Sequence, residues 1–310
     1  MAANASAPTP EGPPALQPRH ILLALLVAAI WGFNFVVIRI GLGSFPPLLL
    51  ATLRFVLAAL PVLVLPRPAV PWPRIIAIGL TLFVGQFAFL FPAMMIGMPP
   101  GLASIVLQSQ AFFTILIAAM ALRERPSGRQ LGGAAVAFAG LAVIGTTVGG
   151  GDVTALGLAL SLAAAGSWAC GNVLLRGAGK VDMLPMIVWL SLIPPVPLLA
   201  LSLAVEGPTA IGHAFATVGW TGVGTVLYLA IPTTILGFGI WGHLLKLYPA
   251  ATVAPFSLLV PIFGAGSAAL VLGEQFGPAR LAGMALILLG LAIVALPVAR
   301  LRRLWPAPQR

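Results

Sequence analysis

The sequence predicts an all-α integral membrane protein whose ten transmembrane helices form two inverted five-helix repeats. Three observations carry that expectation. Charge is nearly absent, apolar runs of spanning length recur ten times, and the second half of the chain aligns with the first across an odd number of spans.

Charged residues make up 7% of the 310 and hydrophobic residues 60%. A water-soluble domain of this size would lack the polar side chains to cover its surface, so the chain belongs in a bilayer. The net charge of +10 is scattered between apolar runs and at the C-terminus rather than gathered on one face. That distribution points to membrane lipid as a partner and away from nucleic acid. The single cysteine, Cys170, excludes a disulfide framework and a Cys-rich metal site, and reads as a small buried hydrophobe.

The elements follow in order. Residues 1–20, rich in Ala and Pro, form a disordered cytoplasmic leader. The first repeat, 21–148, holds apolar runs near 21–40, 46–65, 74–96, 101–122 and 130–148. The second, 155–298, holds runs near 155–175, 184–203, 218–242, 249–272 and 280–298, each close to the roughly 20 residues that a spanning helix needs. Residues 299–310 form a basic cytoplasmic tail, whose Arg300 to Arg303 cluster suits lipid headgroups. Short connections make successive spans antiparallel. Cytoplasmic loops retain Lys and Arg. With both termini in the cytoplasm, thirteen basic residues fall inside and only Arg39 and Arg280 outside, which leaves Arg54 within a span.

The repeat is visible without gaps. A shift of 150 residues places Ala118–Ala142 on Ala268–Ala292 with ten of 25 positions identical, among them Glu124 on Glu274, Gly133 on Gly283 and Gly140 on Gly290. A shift of 137 places Trp31 on Trp168, Arg39 on Arg176 and Arg54 on Ser191, so about 13 extra residues lie after span seven. Five spans per unit is an odd number, so the second copy enters the membrane from the other side. Inverted repeats suit alternating access, in which the halves exchange conformations and a central cavity changes the side to which it opens.

Polar residues inside spans mark the candidate site. Arg54 lies near the middle of span two, where a charge costs about 2.5 to 3.5 kcal/mol on insertion scales. Either it faces a water-filled cavity and holds a substrate carboxylate, or it is satisfied by carbonyls freed at Pro-broken helices or snorkels to an interface. Its partner position is Ser191, so any anion site is asymmetric. Span four carries Gln108 and Gln110, and the matching stretch of span nine is bracketed by Pro255 and Pro261. At 100° per residue the two amides face nearly opposite ways, so one is expected to face a ligand and the other a neighbouring helix. Trp31 with Asn34, and Trp168 with Asn172 and Arg176, form polar-aromatic stripes on spans one and six. Gln86 among phenylalanines on span three, and Thr234, Phe238 and Trp241 on span eight, complete the candidates. Each of these residues has a bland reading as interhelical glue or interfacial aromatic. The Gly133/Gly140 and Gly283/Gly290 pairs read as close helix packing.

All six acidic residues fall in loops or tails, which leaves no mid-membrane carboxylate for proton or sodium coupling. No HExxH, paired intramembrane Asp, Ser–His arrangement or phosphate-binding loop occurs, so no catalytic residue, metal or cofactor is expected. The remaining function classes are a carrier, favoured by the inversion, and a membrane enzyme or scaffold.

The strings IWGFNFVVIRIGL (30–42), PPLLLATLRFVLAALP (46–61), GQFAFLFPAM (85–94), GMPPGLASIVLQSQAFFT (97–114), SWACGN (167–172) and VAPFSLLVPIFG (253–264) resemble the drug/metabolite transporter superfamily in its EamA-type, ten-helix branch. The likeness is greatest to its bacterial inner-membrane exporters of O-acetylserine and cysteine. That resemblance implies efflux of a small zwitterionic amino acid, and it brings Arg54, Gln108, Gln110, Trp168 and Asn172 in as members of the characteristic motifs. Small four-helix members use a span-one Glu for proton exchange. Here Trp31 and Asn34 stand in that span instead, which favours export down the metabolite's own gradient. Other amino acids, sugars or drugs are the alternative cargo, and the sequence sets no oligomeric state.

Overall fold

The computed structural model describes residues 16–149 and 151–296. The leader up to residue 15 and the basic tail with Arg300 to Arg303 lie outside them. Every described element is helical. Among the described residues nine helices are long and apolar enough to cross a membrane, and one further apolar helix is shorter. In chain order, with the shorter one second, they are α1 (Pro18–Gly41), α2 (Pro47–Leu63), α3 (Trp72–Met95), α4 (Pro100–Ala121), α5 (Gly128–Gly145), α6 (Ala155–Arg176), α7 (Met183–Val205), α8 (Trp220–Leu247), α9 (Ala254–Leu272) and α10 (Pro278–Ala295). The protein is therefore a multi-pass membrane protein. Leu63, Met120, Val196, Trp220 and Leu270 stay exposed on its outside, an apolar belt that suits lipid.

Local chemistry sets the ends. Proline opens α1, α2, α4 and α10 and sits in the first turn of α3, where its missing N–H would have no helical partner anyway. Ser127 and Gln130 form a reciprocal capping box at the start of α5, satisfying two orphan donors. Beyond α4 and α9 the chain turns through a left-handed residue, Gly273 in one case and Arg123, at φ 55°, in the other.

Cross-contacts fix the helix directions. On the face where α1 begins, here the N-terminal face, the side chain of Arg129 at the start of α5 donates to the Val294 carbonyl near the end of α10, and Arg74 at the start of α3 donates to Gly177 just past α6. On the opposite face Glu206, beyond α7, accepts the Leu48 and Leu49 N–H groups at the start of α2. The helices thus run alternately, as the short connections predict. The extra residues after α7 form the helix Gly207–Thr217, which the sequence reading left without structure.

Three irregularities shape the interior. A six-residue π-type turn replaces α-helix at Leu80–Gly85 in α3, and an eight-residue one at Leu229–Leu236 in α8. The freed carbonyls find partners on other helices: Ser167 Oγ donates to Thr81 O at 2.7 Å and Trp31 Nε1 to Thr233 O at 3.0 Å. A 3₁₀ turn spans Leu107–Ser109 in α4, and α7 breaks between Leu190 and Pro195. Elsewhere packing is tight. A Cβ on Gly133 would lie 2.8 Å from the Gly290 carbonyl, and one on Gly140 would lie 2.6 Å from that of Gly283, so the four glycines let α5 and α10 touch backbone to backbone.

Candidate functional site

A cavity of about 340 Å³ lies among all the helices except α5 and α10. On α6 to α9 its lining residues, from Leu175 and Met183 to Trp241 and Ser257, lie in the half nearer the N-terminal face. On α1, α3 and α4 residues such as Asn34, Leu90 and Ser104 lie past mid-helix toward the opposite face, so the cavity crosses mid-depth and comes nearest the surface at the N-terminal face, where Leu175 and Met183 stand at helix ends.

Arg54 supplies its charge. The side chain is buried, its guanidinium carbon sits 4.5 Å from the centre of the Phe87 ring, and Nε donates to Thr234 Oγ1 at 3.2 Å. Thr234 in turn donates to the Leu229 carbonyl at 2.8 Å, across the π-type turn. Nη1 of Arg54 has no hydrogen-bond partner in the protein. Neither Asp nor Glu lines the cavity, so the aromatic faces screen the guanidinium without neutralising it.

Two more buried polar atoms on the cavity wall are unpaired, Asn34 Oδ1 and Thr233 Oγ1. Buried polar groups are normally bonded, because an orphan costs its desolvation. The wall thus holds one cationic donor and two polar oxygens without partners, all three buried beneath its largely apolar surface. Trp31 packs against Phe238 and Trp241, with ring centres 5.1 and 5.4 Å away, and its indole N–H is committed to Thr233 O. Asn172 Nδ2 donates to Gln110 Oε1 at 2.8 Å, which ties α6 to α4 and leaves the Gln110 NH₂ free to turn inward.

The structure brings Trp31, Asn34, Arg54, Gln86, Gln108, Gln110, Trp168, Asn172 and Trp241 onto one cavity. Four expectations need correction. Gln108 and Gln110 both line it, because the 3₁₀ turn rotates about 120° per residue and brings the two directions closer than an α-helix would. Ser191 does not line it; fully buried, its hydroxyl bonds the Ile187 carbonyl one turn back. Arg176, expected on the Trp168 stripe, lies at the end of α6 and pairs with Glu124 at 3.4 Å. Cys170 is half-buried rather than buried. The sequence reading missed Thr233, whose signal was the adjacent Pro232, and Met183, Ile187 and Ser257, which carry none.

Alternating apolar helices around a largely apolar cavity with one unneutralised cation define a polytopic membrane protein with an internal cavity. A family model described as the EamA-like transporter family matches residues 18–146 and 155–296. The chain belongs to that family, within the drug/metabolite transporter superfamily. Relatives named "Probable amino-acid metabolite efflux pump" from Salmonella typhimurium and Escherichia coli are 48% and 46% identical, covering 87% and 88% of this chain and 93% of each relative. A "Probable terminal-alkyne amino-acid exporter" of Streptantibioticus cattleyicolor is 27% identical over 87% of this chain and 91% of its own. A crystal structure 21% identical in sequence superposes with a TM-score of 0.62 over 94% of this chain and 100% of the other. That likeness shows the fold alone.

Proposed function

We propose that the protein is a secondary carrier that exports small amino-acid metabolites, of the cysteine and O-acetylserine class, across the bacterial inner membrane by alternating access. The observation that carries this reading is Arg54, buried on the cavity wall with Nη1 unpaired. A guanidinium fork matches the two oxygens of a carboxylate. The orphan acceptors Asn34 Oδ1 and Thr233 Oγ1 suit an ammonium group, and a cavity of this size suits a small molecule. With no carboxylate on the wall, zwitterions are favoured over cations. The named activity of the two closer relatives points the same way.

Ten spans in two inverted repeats, 21–148 and 155–298, suit the helix pairings, which come in matched sets. α1 packs on α9 and α8 as α6 packs on α4 and α3, while α2 with α7, α4 with α9 and α5 with α10 join equivalent helices. Arg123 and Gly273, equivalent under the 150-residue shift, share a left-handed backbone. The excess of basic residues favours a cytoplasmic N-terminal face, and the cavity comes nearest the surface there, on the side where an exporter loads.

Flux of labelled cysteine and O-acetylserine in proteoliposomes with defined voltage and pH gradient tests the proposal. Saturable flux is expected, with KM raised about 30-fold in Arg54→Gln as a buried charge loses its partner. No flux above empty vesicles overturns the substrate class, and undiminished flux in Arg54→Gln overturns the site. The packing of Trp31, Phe238 and Trp241 favours a second reading, export of bulkier aromatic compounds, which competition by such compounds would reveal.

A further inference from the structure

Glu274 and Glu124 occupy equivalent positions in the two halves, yet they stand in different states. Glu274, in the turn after α9, accepts the N–H groups of Gly101 and Leu102 at the start of α4, at 2.7 and 3.2 Å. These amides have no intrahelical acceptor, and a carboxylate there gains two charge-assisted bonds and the favourable end of the helix dipole. The contact closes α4 onto α9 at the opposite face. Glu124, in the turn after α4, is exposed and pairs with exposed Arg176 at 3.4 Å.

The equivalent of the Gly101–Leu102 pair is residues 251–252, in the turn that leads into α9. Pro99 and Pro249 precede the two starts with nearly the same backbone angles. At this second start the Thr252 N–H is spent inside its own turn, on the Pro249 carbonyl at 2.8 Å. The arginines complete the symmetry. Arg39, equivalent to Arg176, is exposed at the end of α1, lines the same outer cavity as Glu274, and makes no ion pair among the described residues.

We propose that each glutamate is a two-position latch and that the two latches alternate. In the present form Glu274 holds the helix-start amides while Glu124 rests on Arg176, so the N-terminal face is open and the other closed. In the opposite form the Thr252 N–H leaves the Pro249 carbonyl and, with that of residue 251, donates to Glu124, while Glu274 moves to Arg39. An exposed ion pair is weak beside two bonds to otherwise orphaned amides, so whichever amide pair is occupied sets the closed face. Exchanging one occupied pair for its equivalent leaves the two forms close in energy, as a carrier requires. The device rests on the alternating-access reading above.

The test uses the full chain in proteoliposomes with Cys170→Ala. Met94→Cys, buried beside Glu274 on the outer cavity, and Ser257→Cys, on the central cavity, report opening of the two faces to a membrane-impermeant maleimide. Glu274→Ala, which removes the acceptor altogether, should raise the ratio of Met94→Cys to Ser257→Cys labelling about tenfold, as expected for losing hydrogen bonds made in one form only, and Arg176→Gln should raise it about twofold, the worth of an exposed ion pair. Glu124→Ala and Arg39→Gln should lower it. Ratios that all move in one direction, or that do not move, overturn the latch. Arg39 and Arg176 are exposed, so their variants carry the test even where a glutamate variant fails to fold. Labelling needs no substrate: opposed shifts without cysteine flux uphold the latch and remove the substrate reading, whereas flux without opposed shifts removes the latch alone.

Discussion

Arg54 is anchored from one side. Its Nε is fixed by Thr234, its face by Phe87, and Nη1 is left for a ligand. Thr234 is therefore a positioning residue. Thr234→Val should raise KM for a carboxylate-bearing substrate about threefold to tenfold, the worth of one hydrogen bond to a charged group, with kcat little changed and Thr234→Ser restoring KM. Equal loss of kcat and protein yield would argue for a structural role instead. At this scale the sequence was informative wherever a residue was out of place: a charge, an amide or an indole inside an apolar run has to be accounted for. Hydroxyls are harder to read, because in a helix they bond their own carbonyls. Ser191 does so, while Thr233 leaves its hydroxyl unpaired on the cavity wall, and nothing in the two side chains distinguishes them beforehand.

Helices were legible because length and apolar content alone define a membrane-spanning segment. Their irregularities were not. Pro232 marks the π-type turn in α8, but Leu80–Gly85 contains no proline, and its freed Thr81 carbonyl is satisfied by Ser167 from a distant part of the chain. Such a turn is decided by tertiary partners, as is the 3₁₀ turn that brings both Gln108 and Gln110 to the cavity. The glycine spacing, by contrast, announced the α5 and α10 seam. A Cβ at Gly290 would overlap the Gly133 carbonyl and lie 2.9 Å from the Ala137 amide nitrogen. Backbone on both sides cannot move aside, so Gly290→Ala should lower stability by about 1 to 3 kcal/mol. A depressed thermal-unfolding midpoint in detergent would register this, with Gly266→Ala, which faces open space, unchanged.

Across the whole molecule, pH should act unequally on the two faces. Burial pushes the Glu274 carboxyl above its ordinary value, outweighing the Gly101 and Leu102 N–H bonds that lower it; Asp152 adds to the rise and Arg280 opposes it, while Arg39 lines the same outer cavity. A carboxyl with a raised pKa in the closed form binds its proton more tightly there than in the open form, where it stands beside Arg39. Acidifying the opposite face toward the ordinary carboxylate range should therefore favour closure, and raising pH above the elevated value should relieve that bias. Labelling of Met94→Cys, normalised to denatured protein at each pH, should fall on acidification and become flat in Glu274→Gln. A fall that persists in Glu274→Gln would assign the effect to another group.

The cavity without carboxylates has an electrical side. Its fixed charge is a single guanidinium, present whether or not a ligand is bound. A zwitterion adds no net charge to it, so the loaded and the returning empty protein present the same charge to the membrane field. For the proposed carrier moving its zwitterion alone, voltage then cancels over a complete cycle, and the direction of net movement is left to the concentrations of the metabolite on the two sides.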